Sequence, residues 1–192
     1  VEFTGLSKEE LSSGSQTAII FVLSLIFVYF ILAAQYESFM LPLAVILSLP
    51  LGVIGAYFGQ KIAGLENNIY FQIALIMLVG LLAKNAILIV EFAVQRRHHG
   101  ETLAMSAINA AKARLRPILM TSFAFIFGML PLVFASGIGK VGNRSIGTGA
   151  AAGLLIGTFF GLIAIPVLYV IFQWLQEKIK PIKFEKEINL SE

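Results

Sequence analysis

The stretch LLAKNAILIVEF, Leu81 to Phe92, sets Lys84 and Asn85 inside a run that is otherwise fit for hydrocarbon. A charged side chain at mid-membrane costs about 2.5 to 3.5 kcal/mol on insertion scales, so Lys84 needs a partner or a water-filled path. Whether the run crosses a membrane decides the fold. Apolar residues make up 58% of the 192, charged residues only 13%, and the mean hydropathy is +0.87. A chain of that composition has lipid as the solvent for most of its length.

Working outward from this stretch, apolar runs near 20 residues recur, the length that crosses a hydrocarbon layer of roughly 30 Å at 1.5 Å per residue. They cover about 17–34, 40–60, 69–92, 117–136 and 146–173. None shows the strict alternation of a lipid-facing barrel strand, which predicts an all-α membrane protein with five transmembrane helices. Between the third and fourth runs, GETLAMSAINAAKARLRP has too few strong hydrophobes to cross a bilayer. Leu103, Ala107, Ile108 and Ala111 fall near one face there, predicting a short interfacial helix over about 101–113. Tyr70, Tyr169 and Trp174 sit near the ends of runs, as interfacial aromatics do. Pro50, Pro131 and Pro166 fall inside runs, where each removes one backbone hydrogen bond and favours a kink.

Five spans put the termini on opposite sides. With the N-terminus outside the cytoplasm, the inner segments hold Arg96, Arg97, Lys112, Arg114, Arg116, Lys178, Lys180, Lys183 and Lys186, and the outer ones Lys8, Lys61, Lys140 and Arg144. The excess of inner charge favours that orientation, with residues 174–192 as a cytoplasmic tail. The opening VEFTGLSKEELSSGSQ is polar and acidic, is no cleavable signal peptide, and reads as the interior of a longer chain.

Several chemistries are excluded. The absence of cysteine removes disulfides, thiolate metal sites and cysteine nucleophiles. The net charge of +3 is explained by membrane orientation, and nucleic acid is not expected as a partner. GIGK at 137–140 lacks the earlier glycine of a phosphate-binding loop, His98 and His99 cannot face one metal from a regular helix, and no hydrolytic triad occurs. No enzyme, metal site or bound cofactor is expected.

Depth picks out the company of Lys84. It lies eight residues before Phe92, about 12 Å above the inner boundary, while Thr121 lies roughly 7 to 8 Å above it on the fourth run. A lysine side chain spans that difference. Arg114 and Thr121 are seven residues apart and share a face if the helix begins at or before Arg114; Pro117, which suits a first turn, leaves that open. Lys84, Asn85, Arg114 and Thr121 are therefore candidates for a buried polar relay that responds to protonation; a structural ion pair or snorkelling is the plainer alternative. In the last run Gly149, Gly153, Gly157 and Gly161 recur every four residues and line one helical face, either for close packing or as a surface on which helices slide.

These residues carry a resemblance. The stretches TGLSKEELSSGSQ, AAQYESFMLPLAVILSLPLGVIGA, NNIYFQIALIMLVGLLAKNAILIVEFA, ARLRPILMTSFAFIFGMLPLV and GTGAAAGLLIGT follow in order over residues 1 to 172. Together they resemble the C-terminal membrane portion of resistance-nodulation-division (RND) efflux transporters, in particular the hydrophobe/amphiphile branch. The resemblance implies that the five spans are the eighth to twelfth helices of a twelve-helix protomer, and residues 1–16 the end of a periplasmic porter region. It implies a homotrimer in the bacterial inner membrane, with a periplasmic adaptor and an outer-membrane channel as partners and protons as the coupling ion. By the same resemblance Lys84 is the relay lysine, Arg114 the relay arginine of RLRP and Thr121 the relay threonine of ILMTS, and Asn85 follows the lysine as usual. The lysine's partners in the family are two aspartates on the fourth membrane helix, which this chain does not include. Two other readings stand beside this one: a non-transporting scaffold or truncated inactive product, and a heavy-metal or lipid exporter of the same superfamily.

Overall fold

A computed structural model of the chain describes the backbone of residues 5–36 and 38–179, with side chains for 19, 20, 22–36 and 38–178. It contains five helices, α1 (Gly5–Tyr36), α2 (Leu41–Ile62), α3 (Ile69–His98), α4 (Leu103–Val133) and α5 (Lys140–Ile179). No strand occurs among the described residues. The last four helices are long and apolar enough to cross a membrane, and α1 contributes a shorter apolar segment, Val22–Tyr36. Short links reverse the chain at each junction, so that sequential helices pack as neighbours.

The helix ends explain two of those reversals. After α2, Gly64 has φ 64°; its N–H bonds the Lys61 carbonyl at 3.2 Å and the Leu65 N–H reaches back to Gln60 at 3.1 Å. This paired closure needs a left-handed residue after the cap, which glycine adopts without steric cost. Gly100 does the same after α3 with φ 90°, its N–H bonding Arg97 at 3.1 Å and that of Glu101 bonding Arg96 at 3.4 Å. At the start of α3 the Asn68 side chain accepts from the Phe71 N–H at 2.9 Å and donates to Ser145 Oγ of α5, also at 2.9 Å.

α5 is the hub, packing against α2, α3 and α4, while α1 touches only α2 and α3 among the described residues. The contact with α2 is made by small residues on both helices. A methyl built on Gly153 would lie 3.0 Å from the Ala56 Cβ and 3.1 Å from the Gly52 carbonyl, and one on Gly157 would lie 2.9 Å from the Gly52 Cα. A methyl on Gly149 would lie 2.8 Å from the Phe71 ring of α3. Backbones can approach this closely only where side chains are absent. Gly161 differs, because nothing lies nearer to its methyl position than Ile165 Cδ1 at 3.6 Å. Deeper along the contact between α4 and α5, the hydroxyls of Ser122 and Thr158 are hydrogen-bonded at 3.0 Å.

Three expectations meet a different arrangement. The segment 101–113, expected as a separate interfacial helix, forms the first third of α4, which continues unbroken past Pro117. Its alanines favour helix and Ala107 and Ala110 are buried in the core, so the loss of one hydrogen bond at proline does not end it. The face also differs, since Ser106, Ala107 and Ala110 point inward whereas Ile108 is exposed. Tyr169, expected at an interface, is fully buried, because it shares the inward face of α5 with Ile165 and Gln173, each four residues away. Tyr70 and Trp174 are exposed. At the ends of the chain, residues 1–4 and 180–192 lie outside the described residues, while 5–16 belong to α1 and 174–179 to α5.

Candidate functional site

Lys84 projects from the middle of α3 between Ala83 and Asn85, and the helix turns Ala83 and Ala86 into the core. Successive residues are 100° apart, so these positions leave Lys84 on the outer side of the bundle, where it is exposed. No hydrogen bond or ion pair reaches its ammonium among the described residues. Thr121 is exposed on α4, with its hydroxyl donating to the Ile118 carbonyl at 3.0 Å. Beyond Pro117 the only buried residues of α4 are Ile118 and Ser122, which leaves most of that half of the helix uncovered.

The structure does not join the four candidates to one another by hydrogen bonds. Arg114 lays its guanidinium over the Phe92 ring of α3, 4.5 Å from the centroid, with Arg96 at 5.3 Å from the same centroid. Cation–π contact of this kind holds α4 against the end of α3. Asn85 turns the other way from Lys84 and lines a small cavity with Ser48 of α2 and Thr158 and Gly161 of α5. The relay candidates thus face different surroundings: Lys84 and Thr121 lie on uncovered surface, Asn85 against a cavity, and Arg114 on an aromatic ring.

A second polar cluster, which the sequence reading missed, closes one end of the bundle. Arg97 forms a two-pronged ion pair with Glu177 of α5, Nε to Oε1 at 2.8 Å and Nη2 to Oε2 at 2.9 Å. Its Nη1 also donates to the Glu101 carbonyl at 2.6 Å. The Glu101 carboxylate accepts from Arg96 at 2.8 Å and from Asn109 at 3.1 Å. Gln173 supports Glu177 at 3.3 Å, and Ser38 donates to Gln176 at 2.7 Å, bringing in the link before α2. The left-handed turn at Gly100 is what folds Glu101 back toward both arginines. Only the concentration of charge just past the apolar run hinted at this cluster.

All 11 acidic residues of the chain are glutamates. Among the described residues, no group of three or more metal-ligating side chains gathers. Glu91, the carboxylate nearest to Lys84 along α3, accepts from Gln95 at 3.2 Å.

Comparisons with known proteins bear on this arrangement. A model of the AcrB/AcrD/AcrF family matches residues 1–173. The chain is 48% identical over 168 residues to the toluene efflux pump membrane transporter TtgB of Pseudomonas putida, covering 88% of this chain and 16% of that protein. It is 45% identical over 179 residues to the multidrug resistance protein MdtF of Escherichia coli, covering 93% and 17%. Against the solvent-resistant pump membrane transporter SrpB of Pseudomonas putida it is 45% identical over 172 residues, covering 89% and 16%. The chain therefore spans a small part of the length of the curated relatives that it matches.

Proposed function

We propose, from the premise that this chain belongs to the AcrB/AcrD/AcrF family of RND efflux transporters, that it serves a proton-driven exporter of hydrophobic and amphiphilic compounds. Solvents and drugs, the cargo in the names of its relatives, are the substrate class this reading takes over. The observation that carries it is Lys84, a cation in an apolar helix, exposed on the bundle surface and without a partner among the described residues. Hydrocarbon cannot accept an ammonium ion, so Lys84 needs a partner, and the family resemblance supplies one, a pair of carboxylates on another helix of the transporter.

Coupling then works by electrostatic switching. With the carboxylates ionised, Lys84 pairs with them; when they take up protons the attraction falls and Lys84 turns toward Thr121 on the neighbouring helix. The change in pairing favours one helix packing over another. Arg114 sits lower on α4, stacked on Phe92, and holds positive charge near the inner end of the same path. Homotrimeric assembly in an inner membrane, the adaptor and outer-membrane channel, and a periplasmic N-terminus with cytoplasmic C-terminus complete the reading.

The test uses the full-length transporter. Lys84→Met, expressed at the level of the unaltered protein, is expected to abolish export of a fluorescent amphiphile from cells; undiminished export overturns the assignment.

A further inference from the structure

The cavity beside Asn85 asks for an occupant. Its lining combines the polar side chains of Ser48, Asn85 and Thr158 with Ile118, Gly157 and Gly161, and its space open to water centres is about 10 Å³. That is room for about one water molecule, and a water is stable in a cavity only where two to four polar partners surround it. Ser48 Oγ donates to the Val45 carbonyl at 2.6 Å and keeps its lone pairs as acceptors. Ser122 and Thr158 share one hydrogen between their oxygens, which leaves acceptor capacity on that pair. The Asn85 amide, with two donors and one acceptor oxygen, bonds to no protein group among the described residues. A half-buried amide with no partner costs free energy that one bridging water would remove.

We infer that a single bound water fills this cavity and ties Asn85 of α3 to Thr158 of α5. Asn85 is then a positioning residue for its neighbour. A helix rotated so that Asn85 faces α5 must point Lys84 about 100° away, outward from the bundle and toward the place where its carboxylate partner is proposed. The inference thus rests on the reading of Lys84 as the proton-responsive cation. It also separates Gly161 from the glycines before it in the row. Those three press against neighbouring helices, whereas Gly161 leaves the space that the water takes.

Gly161→Ala is a suitable probe, because Gly161 lines the cavity and the added methyl meets only Ile165 Cδ1, at an ordinary contact distance of 3.6 Å. In a density map of the full-length transporter fine enough to show ordered waters, we expect a peak within hydrogen-bonding distance of the Asn85 amide and of the Thr158 or Ser48 hydroxyl. The peak should be gone in Gly161→Ala. Export by that variant should fall by about tenfold, the size expected when a half-buried polar group loses its only partner. Its pH of half-maximal export should move, whereas Gly153→Ala, a packing change, should lower export alike at every pH. Thr158→Val, which keeps the shape and removes one partner, should fall between the unaltered protein and Gly161→Ala.

An empty cavity in the unaltered protein, or an Asn85 amide bonded directly to protein, overturns the water. A water present together with unchanged export and pH profile in Gly161→Ala overturns its positioning role. The two readings fail separately: a dry cavity alongside a dead Lys84→Met removes this inference and leaves the lysine's role standing. A water-filled cavity alongside an active Lys84→Met leaves the water standing and removes the lysine's role together with the positioning role of Asn85.

Discussion

At the scale of single residues, the ion pair of Arg97 and Glu177 is a stronger tie than most charge pairs. Both oxygens of the carboxylate meet nitrogens of one planar guanidinium, and the side chains are only 14% and 19% exposed. A fully exposed pair is worth about 0 to 1 kcal/mol, and this geometry justifies a value near the upper end. We expect Glu177→Gln to lower stability by about 1 kcal/mol. Arg97→Ala combined with it should cost less than the two changes added together, as measured by thermal melting of the four proteins in detergent. Additive losses show that the pair carries no coupling. The same contrast explains what could be read in advance. Lys84 stood out because a charge in an apolar run is a local fact of the sequence. Arg97 and Glu177 are separated by 80 positions, and nothing local marks one as the partner of the other. Asn85 and Lys84 were grouped because they are neighbours in sequence, yet helical rotation gives them different surroundings.

At the scale of elements, glycines look alike in the sequence and differ in the structure. Gly153 of α5 is pressed against Ala56 and Gly52 of α2, whereas Gly128 of α4 has no atom within 4 Å of its methyl position. Gly153→Ala is expected to destabilise the protein by about 1 to 3 kcal/mol through overpacking. Gly128→Ala is expected to be neutral, or to stabilise by up to roughly 1 kcal/mol through helix propensity. Melting of both variants under one condition checks the contrast, and equal shifts would remove the close contact from the explanation. The row of glycines on α5 was legible from its spacing. Its counterpart on α2, Gly52 and Gly55 with Ala56 and Gly59, follows a less regular spacing and passed unnoticed. The continuous α4 was missed because Pro117 and a change in hydrophobicity coincide. Composition marks where a chain leaves lipid, and hydrogen bonding marks where a helix ends. Tyr169 was misplaced for a related reason: position near the end of an apolar run says nothing about which face of the helix a residue occupies.

At the scale of the whole molecule, apolar run length alone anticipated an all-helical bundle with antiparallel neighbours. Runs of this length have few alternatives in lipid. Which helices touch was less visible, because membrane helices associate through shape rather than through a hydrophobic pattern that points inward. The proposed orientation has a direct test, helped by the absence of cysteine from this chain. In a cysteine-free full-length background, Lys61→Cys and Lys140→Cys should react with an impermeant maleimide added outside the inner membrane. Lys112→Cys and Lys178→Cys should react only when the cytoplasmic side is opened. The reverse labelling pattern refutes the orientation. The outward-facing Lys84 also bears on how the protein is made. A helix passing laterally from the translocon into the bilayer does so before distant parts of its structure have assembled, so α3 meets lipid while Lys84 has no counter-ion. Between Ile69 and Val90 it is dominated by leucine, isoleucine, valine and phenylalanine, each favouring insertion by about 0.3 to 0.6 kcal/mol at the helix centre. Their sum exceeds the roughly 3 kcal/mol cost of one lysine. The apolar content of α3 therefore offsets the cost of Lys84 on insertion, and the helix can enter the membrane before it packs against the earlier helix on which its counter-ion is proposed.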